Sequence, residues 1–153
     1  MDEKRKMKKT LPPVYFFGAI IVEVLLHFLL PLHQLLVFPW RLLGLVFLVI
    51  GLVLNALAAQ KFKKHETTVK PFEESRALVT GGVFNIGRNP MYLGMSLILF
   101  GLGVLLGSAS PFAVVPVFIV LLDRIFIVQE EQLLEATFGD QFRQYRKKVR
   151  KWI

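Results

Sequence analysis

Residues 91–109 and 111–129 are two apolar runs of 19 residues each, close to the roughly 20 needed to cross a bilayer as a helix. Gly107, Ser108, Ser110 and Pro111 supply a tight turn between them. A helical hairpin of this shape returns its end to the membrane face where it began. Two short motifs bracket the hairpin: Arg88-Asn89-Pro90-Met91-Tyr92-Leu93-Gly94 before it and Glu130-Glu131 after it. Arg88, Asn89, Tyr92, Glu130 and Glu131 are therefore expected on one aqueous rim, beside an apolar interior.

Two further runs, about 12–30 and 40–59, complete four expected spans. They are too long for barrel strands, and backbone polar groups in lipid must be satisfied internally, so helices are the expected form. With 153 residues, 54% of them hydrophobic, and a mean hydropathy of +0.55, the chain reads as a single domain, 1–153. The expected fold is an all-α integral membrane protein: four transmembrane helices in a compact bundle plus a cytoplasmic, interfacial C-terminal helix. The basic stretch Lys4, Arg5, Lys6, Lys8 and Lys9 before the first run resembles a signal peptide. However, Pro31-Leu32-His33-Gln34 offers no small-x-small cleavage pattern, so that run is expected to be retained.

Charge orients the bundle. Lys and Arg crowd the N-terminus, the 61–88 connection and the tail, and are absent from the 31–39 and 107–110 turns. The positive-inside rule then places both termini and the rim in the cytoplasm, in a multi-pass protein of the cell (inner) membrane. A net charge of +8 raises nucleic acid as a partner, but the basic residues hug membrane boundaries, where anionic lipid headgroups account for them. No nucleic-acid partner is expected. There is no Cys, and His33 and His65 have no ligand-spaced partners, so no metal is expected either.

The 61–88 connection carries Leu78-Val79-Thr80-Gly81-Gly82-Val83-Phe84, whose Gly-Gly turn lets backbone approach a ligand closely. In the third span Gly94, Gly101, Gly103 and Gly107 recur, Gly103 and Gly107 in small-xxx-small spacing, and read first as close helix packing. Gly94, Ser96 and Gly101 are also expected to line a lateral gap for a lipid chain. The tail, Glu131–Trp152, alternates apolar and basic residues, as an interfacial helix does.

Adjacent carboxylates at a membrane boundary repel one another, so Glu130 and Glu131 need compensating cations such as Arg88 or Arg124. Arg124 lies seven residues before Glu131, and Asp123 seven before Glu130, which puts each pair on one face of a regular helix. Asp123 beside Arg124 is an expected intramembrane ion pair. Glu23 and His27, four residues apart, are an expected buried polar pair in the first span.

Taken together, Arg-Asn-Pro-Met-Tyr-x-Gly, then Glu-Glu, then Phe138-Gly139-x-x-Phe142-x-x-Tyr145-x-x-x-Val149-x-x-Trp152 resembles the isoprenylcysteine carboxyl methyltransferase family, in particular its short prokaryotic members. Thr67-Thr68-Val69-x-Pro71 and Leu78-Val79-Thr80-Gly81-Gly82-Val83-Phe84 fit the same pattern. The Asn-Pro-Met-Tyr-x-Gly piece with a later Glu-Glu is also similar to phospholipid N-methyltransferases. The resemblance implies S-adenosyl-L-methionine as cofactor, held by the half from about 65 to 153, and a membrane lipid or lipidated molecule as methyl acceptor. On it, Arg88, Glu130 and Arg124 are the candidate catalytic residues, and Val79, Thr80, Gly81, Gly82, Val83, Asn89, Tyr92 and Glu131 the candidate cofactor-binding ones. Two positions depart from the family pattern. Asn89 stands where the eukaryotic members carry His, and Phe142 where Tyr is more usual. An NADPH-dependent membrane reductase and a non-catalytic helical membrane protein are the alternative readings.

Overall fold

The computed structural model describes residues 11–67 and 76–153. The N-terminal basic stretch and the Thr68–Phe72 part of the connection lie outside the described residues.

Helix α1 (Pro12–Leu29) starts at a proline pair, where the missing N–H groups cost nothing. A 3₁₀ turn at Trp40–Leu42 leads into α2 (Leu43–Lys64), which runs five residues past the expected boundary. Its last turn carries Lys61, Lys63 and Lys64, cations suited to a helix C-terminus and able to extend out of lipid. Helix α3 (Pro90–Leu106) also starts on proline and stops three residues early, because Gly107 adopts φ 79, a left-handed cap that only glycine takes up freely.

One 29-residue rod runs from Ser110 to Phe138: a 3₁₀ turn (Ser110–Ala113), α4 (Val114–Leu122), a π turn (Asp123–Ile127) and α5 (Val128–Phe138). The chain breaks at Gly139, forms α6 (Asp140–Lys148) and then extends from Val149. The single interfacial helix expected over 131–152 is therefore not what forms. Its first third continues the rod, and the remainder folds back over the bundle end, with Phe142 only 1% exposed.

All elements among the described residues are helical, apart from an isolated bridge between Gln34 and Ser108. Three of the helices, Pro12–Leu29, Trp40–Lys64 and Ser110–Phe138, are long and apolar enough to cross a membrane, and α3 is a shorter apolar helix of 17 residues. Large apolar side chains such as Phe17, Phe28, Val49 and Leu52 are exposed, as they are when lipid is the solvent. This is a membrane protein.

The tightest packing is α2 against α3. A methyl on Gly44 would meet the Gly101 carbonyl and the Leu105 side chain, and one on Gly51 would meet the Gly94 carbonyl. The seven-residue spacing repeats on both helices, so two backbones approach at two levels, which is how small residues hold helices together in lipid. The close-packing reading thus holds for Gly94 and Gly101 but not for the Gly103/Gly107 pair, and the expected lateral gap along Gly94 and Gly101 is closed by α2. Gly103 faces Phe112 instead, and Gly107 caps.

The two short turns dock on each other. The N–H groups of Leu35 and Leu36 donate to the Gly107 carbonyl at 2.8 and 3.1 Å, and Ala109 N–H donates to His33 O at 3.0 Å. His27 Nδ1 pairs with Ser108 Oγ at 2.7 Å, so the expected Glu23–His27 pair does not form. Glu23 is fully buried, and neither carboxylate oxygen has a hydrogen-bond partner among the described residues.

Candidate functional site

The site lies where the start of α3 meets the start of α5. Pro90 fixes the first turn of α3, leaving Arg88 and Asn89 just outside the helix and Tyr92 one turn in, 7% exposed. The π turn delivers the start of α5 to the same place. Arg88 Nη2 and Nε donate to a single oxygen, Oε1, of Glu131 at 2.6 and 3.0 Å. The Tyr92 hydroxyl donates to Glu130 Oε1 at 2.5 Å. Each adjacent carboxylate is therefore fixed by its own donor, and like-charge repulsion is offset by one guanidinium and one short hydrogen bond.

The rest of Arg88 holds the C-terminal segment. Nη1 donates to Val149 O at 2.6 Å and to Arg146 O at 3.4 Å, while its backbone N–H donates to Arg150 O at 2.9 Å. Asn89 Nδ2 donates to Lys151 O at 3.0 Å. Gly87 allows this approach, since a methyl there would collide with the Trp152 carbonyl. On the other side of the tail, Lys151 Nζ pairs with Asp123 Oδ1 at 2.9 Å. Tyr145 of α6 donates to Phe84 O at 2.7 Å, and burial pushes its hydroxyl up to about 12.

Arg88, Asn89, Tyr92, Glu130 and Glu131 thus converge as expected. Arg124 does not join them. The π turn uses about one residue more per turn than an α-helix, so a seven-residue spacing across it no longer returns to one face. Arg124 is left exposed, and Asp123 pairs with Lys151 rather than with it.

In the Gly-Gly segment, Val79 and Val83 are buried, packing with Leu54, Ala58 and Phe84 in a small core against α2, rather than presenting side chains to the rim. Thr80 and Gly82 are exposed, Gly81 half-buried, and the glycines have φ 88 and 60. Gly82 lies against the Lys61 side chain.

Sequence reasoning missed the Asp123–Lys151 pair and the tail carbonyls that accept from Arg88 and Asn89. The one available signal is the lone acid Asp123 near the end of an apolar run, with a cationic tail further on.

A helical membrane bundle whose end carries a guanidinium, a phenol and two neighbouring carboxylates is the class of protein that fold and site define. Residues 40–141 match the phospholipid methyltransferase family, and the chain belongs to it. Relatives include a protein-S-isoprenylcysteine O-methyltransferase of Schizosaccharomyces pombe, 39% identical over 75 residues covering 47% of this chain and 30% of that protein. A probable protein-S-isoprenylcysteine O-methyltransferase of Oryza sativa subsp. indica is 33% identical over 111 residues, 69% of this chain and 56% of that one. An uncharacterized protein of Haemophilus influenzae is 40% identical over 63 residues, 41% of this chain and the whole of that protein. The chain thus matches 30% and 56% of the lengths of the two named methyltransferases.

Proposed function

We propose that this protein is an S-adenosylmethionine-dependent methyltransferase of the cell membrane, acting on a lipophilic acceptor. The acceptor class is an isoprenylcysteine-like carboxylate or a lipid headgroup. The four apolar helices cross the membrane, and both termini and the mouth of the site face the cytoplasm. One observation carries the reading: Glu130 and Glu131 are fixed side by side at the end of an apolar bundle with one guanidinium between site and tail.

When bound, the cofactor supplies an electrophilic methyl on a sulfonium. The donor set fits such a group. Two adjacent carboxylates are suited to face a cationic sulfonium or an ammonium. Glu131 Oε1 is occupied by Arg88, and Oε2 faces no protein donor among the described residues, leaving it able to accept from a ribose hydroxyl or an amino group. Tyr92 holds Glu130 in one orientation. Arg88 has its donors on Glu131 and the tail, so it acts as a positioning residue for both. Displacement at a sulfonium carbon gains chiefly from alignment and fixed charge, which these residues supply.

The test is incubation of membranes containing the protein with isotopically labelled methyl donor, then lipid extraction. Label in the organic phase is expected, together with thermal stabilisation by S-adenosylhomocysteine. A ligand at about 100 times its Kd stabilises by roughly 2.7 kcal/mol. No label and no stabilisation refutes the reading, and stabilisation by NADPH instead supports a reductase.

A further inference from the structure

The sequence leads one to expect a lipid gap along the glycines of α3, yet α2 fills it. An opening lies elsewhere, between α1 and α4. There a groove of about 570 Å³ is lined by Val14, Gly18, Val22 and Leu26, four residues apart on α1, with Val117 and Leu121 opposite. The volume falls in the ordinary range for a small-molecule site. Along α1 the stripe runs about 18 Å. Ser110 Oγ donates to Leu26 O at 3.2 Å, which fixes the antiparallel direction and puts the Val14 end beside the end of α4 that leads to the site.

Gly18 differs from the glycines of the α2–α3 contact. A methyl on any of those four would meet backbone or a side chain, whereas at Gly18 nothing lies within 4 Å. The small residue here leaves room that no other part of the described chain takes up. At the Val14 end Tyr15 lines the groove, and its ring meets Phe126 edge-on, centroids 5.4 Å apart. Phe126 meets Tyr92 at 6.3 Å, and Tyr92 holds Glu130. Three rings in contact, Tyr15, Phe126 and Tyr92, thus connect the inner end of the groove to Glu130.

We infer that the α1–α4 groove seats the apolar tail of the methyl acceptor, a single acyl or prenyl chain entering sideways from the bilayer. This inference rests on the methyltransferase reading above. It assigns acceptor recognition partly to α1, which precedes the matched residues 40–141. The lining favours a hydrocarbon chain, because apart from Tyr15 every lining residue is apolar and the groove opens on lipid-facing helices.

The experiment uses the full chain in phosphatidylcholine vesicles doped with a phosphatidylethanolamine carrying a diazirine on its acyl chain, and compares wild type with Gly18→Leu. Since a Cβ at this position meets nothing within 4 Å, the leucine is expected to project into the groove. Cross-links in the wild type are expected to concentrate in residues 14–26 and 113–121, and Gly18→Leu is expected to remove them. In membranes of the source cells the variant is expected to lower methyl incorporation into extracted lipid by at least about tenfold, since a leucine displaces several buried methylenes of the chain. Its affinity for S-adenosylhomocysteine should stay within about twofold of wild type, the cofactor site being untouched. Even labelling over α1, α2 and α4 overturns the inference, as do cross-links joining two copies of the chain. Loss of cross-links with incorporation unchanged also overturns it, showing a resident bilayer lipid. A wild type that binds no cofactor and transfers no label refutes the methyltransferase reading itself, and the acceptor assignment falls with it.

Discussion

The adjacent carboxylates are predicted to respond differently to the same substitution, because they have different partners. Glu131 accepts two N–H groups from Arg88 on one oxygen, with side chains only 9% and 16% exposed. Hydrogen bonds to an ionised group contribute about 1.5–3 kcal/mol each and neutral ones about 0.5–1.5. Glu131→Gln keeps an acceptor and loses the charge, so it should cost about 1–2 kcal/mol of stability. The loss spreads to the tail, since the same guanidinium holds the Val149 and Arg146 carbonyls. In Glu130→Gln the amide oxygen still accepts from the Tyr92 hydroxyl, and stability should change by less than about 1 kcal/mol. Both variants remove a carboxylate charge from the site, so cofactor affinity should fall in each: one charged hydrogen bond lost is roughly 10- to 150-fold. Calorimetric titration with S-adenosylhomocysteine in detergent, beside denaturant unfolding of the same samples, separates the two quantities. Wild-type affinity in Glu130→Gln, or equal destabilisation by both variants, would refute the reasoning and leave the pair with a structural role.

Gly101→Leu should reduce the yield of folded protein, because its side chain meets the Gly44 carbonyl and the Leu48 backbone; overpacking costs about 1–3 kcal/mol, read by thermal unfolding in detergent. Removing residues 149–153 deprives Arg88, Asn89 and Asp123 of partners, so cofactor affinity should fall at least about tenfold while helix content by circular dichroism stays near wild type. Burial raises the Tyr145 hydroxyl from 10.0 to about 12, so the unfolded chain releases this proton first and stability drops as pH rises through that window. Tyr145→Phe should lessen that drop in alkaline unfolding curves. A cysteine introduced in the 31–39 turn should react with a membrane-impermeant reagent added outside cells; protection there, with labelling only from the cytoplasm, refutes the proposed topology.

Hydropathy by itself determined the helical membrane class and the approximate position of each run, because the cost of burying unpaired backbone in lipid leaves few alternatives. The hairpin argument also brought Arg88, Asn89, Tyr92, Glu130 and Glu131 together correctly, since chain connectivity alone forces the two motifs to one end. What local pattern could not decide was register and partnership. The π turn at Asp123–Ile127 breaks the seven-residue alignment of Arg124 with Glu131, and nothing in the composition of those five residues announces it. His27 chooses Ser108, 81 positions away, over Glu23 four away, because the docked turns bring that hydroxyl within reach. The glycines of α3 read equally well as a gap or as a contact until α2 presents Gly44 and Gly51 at matching levels. Likewise the tail's alternating pattern suits a leaflet, but the break at Gly139 turns it back to lay its carbonyls on Arg88 and Asn89. Apolar periodicity records which solvent a segment meets, whereas the partner it meets is fixed only when distant parts of the chain pack.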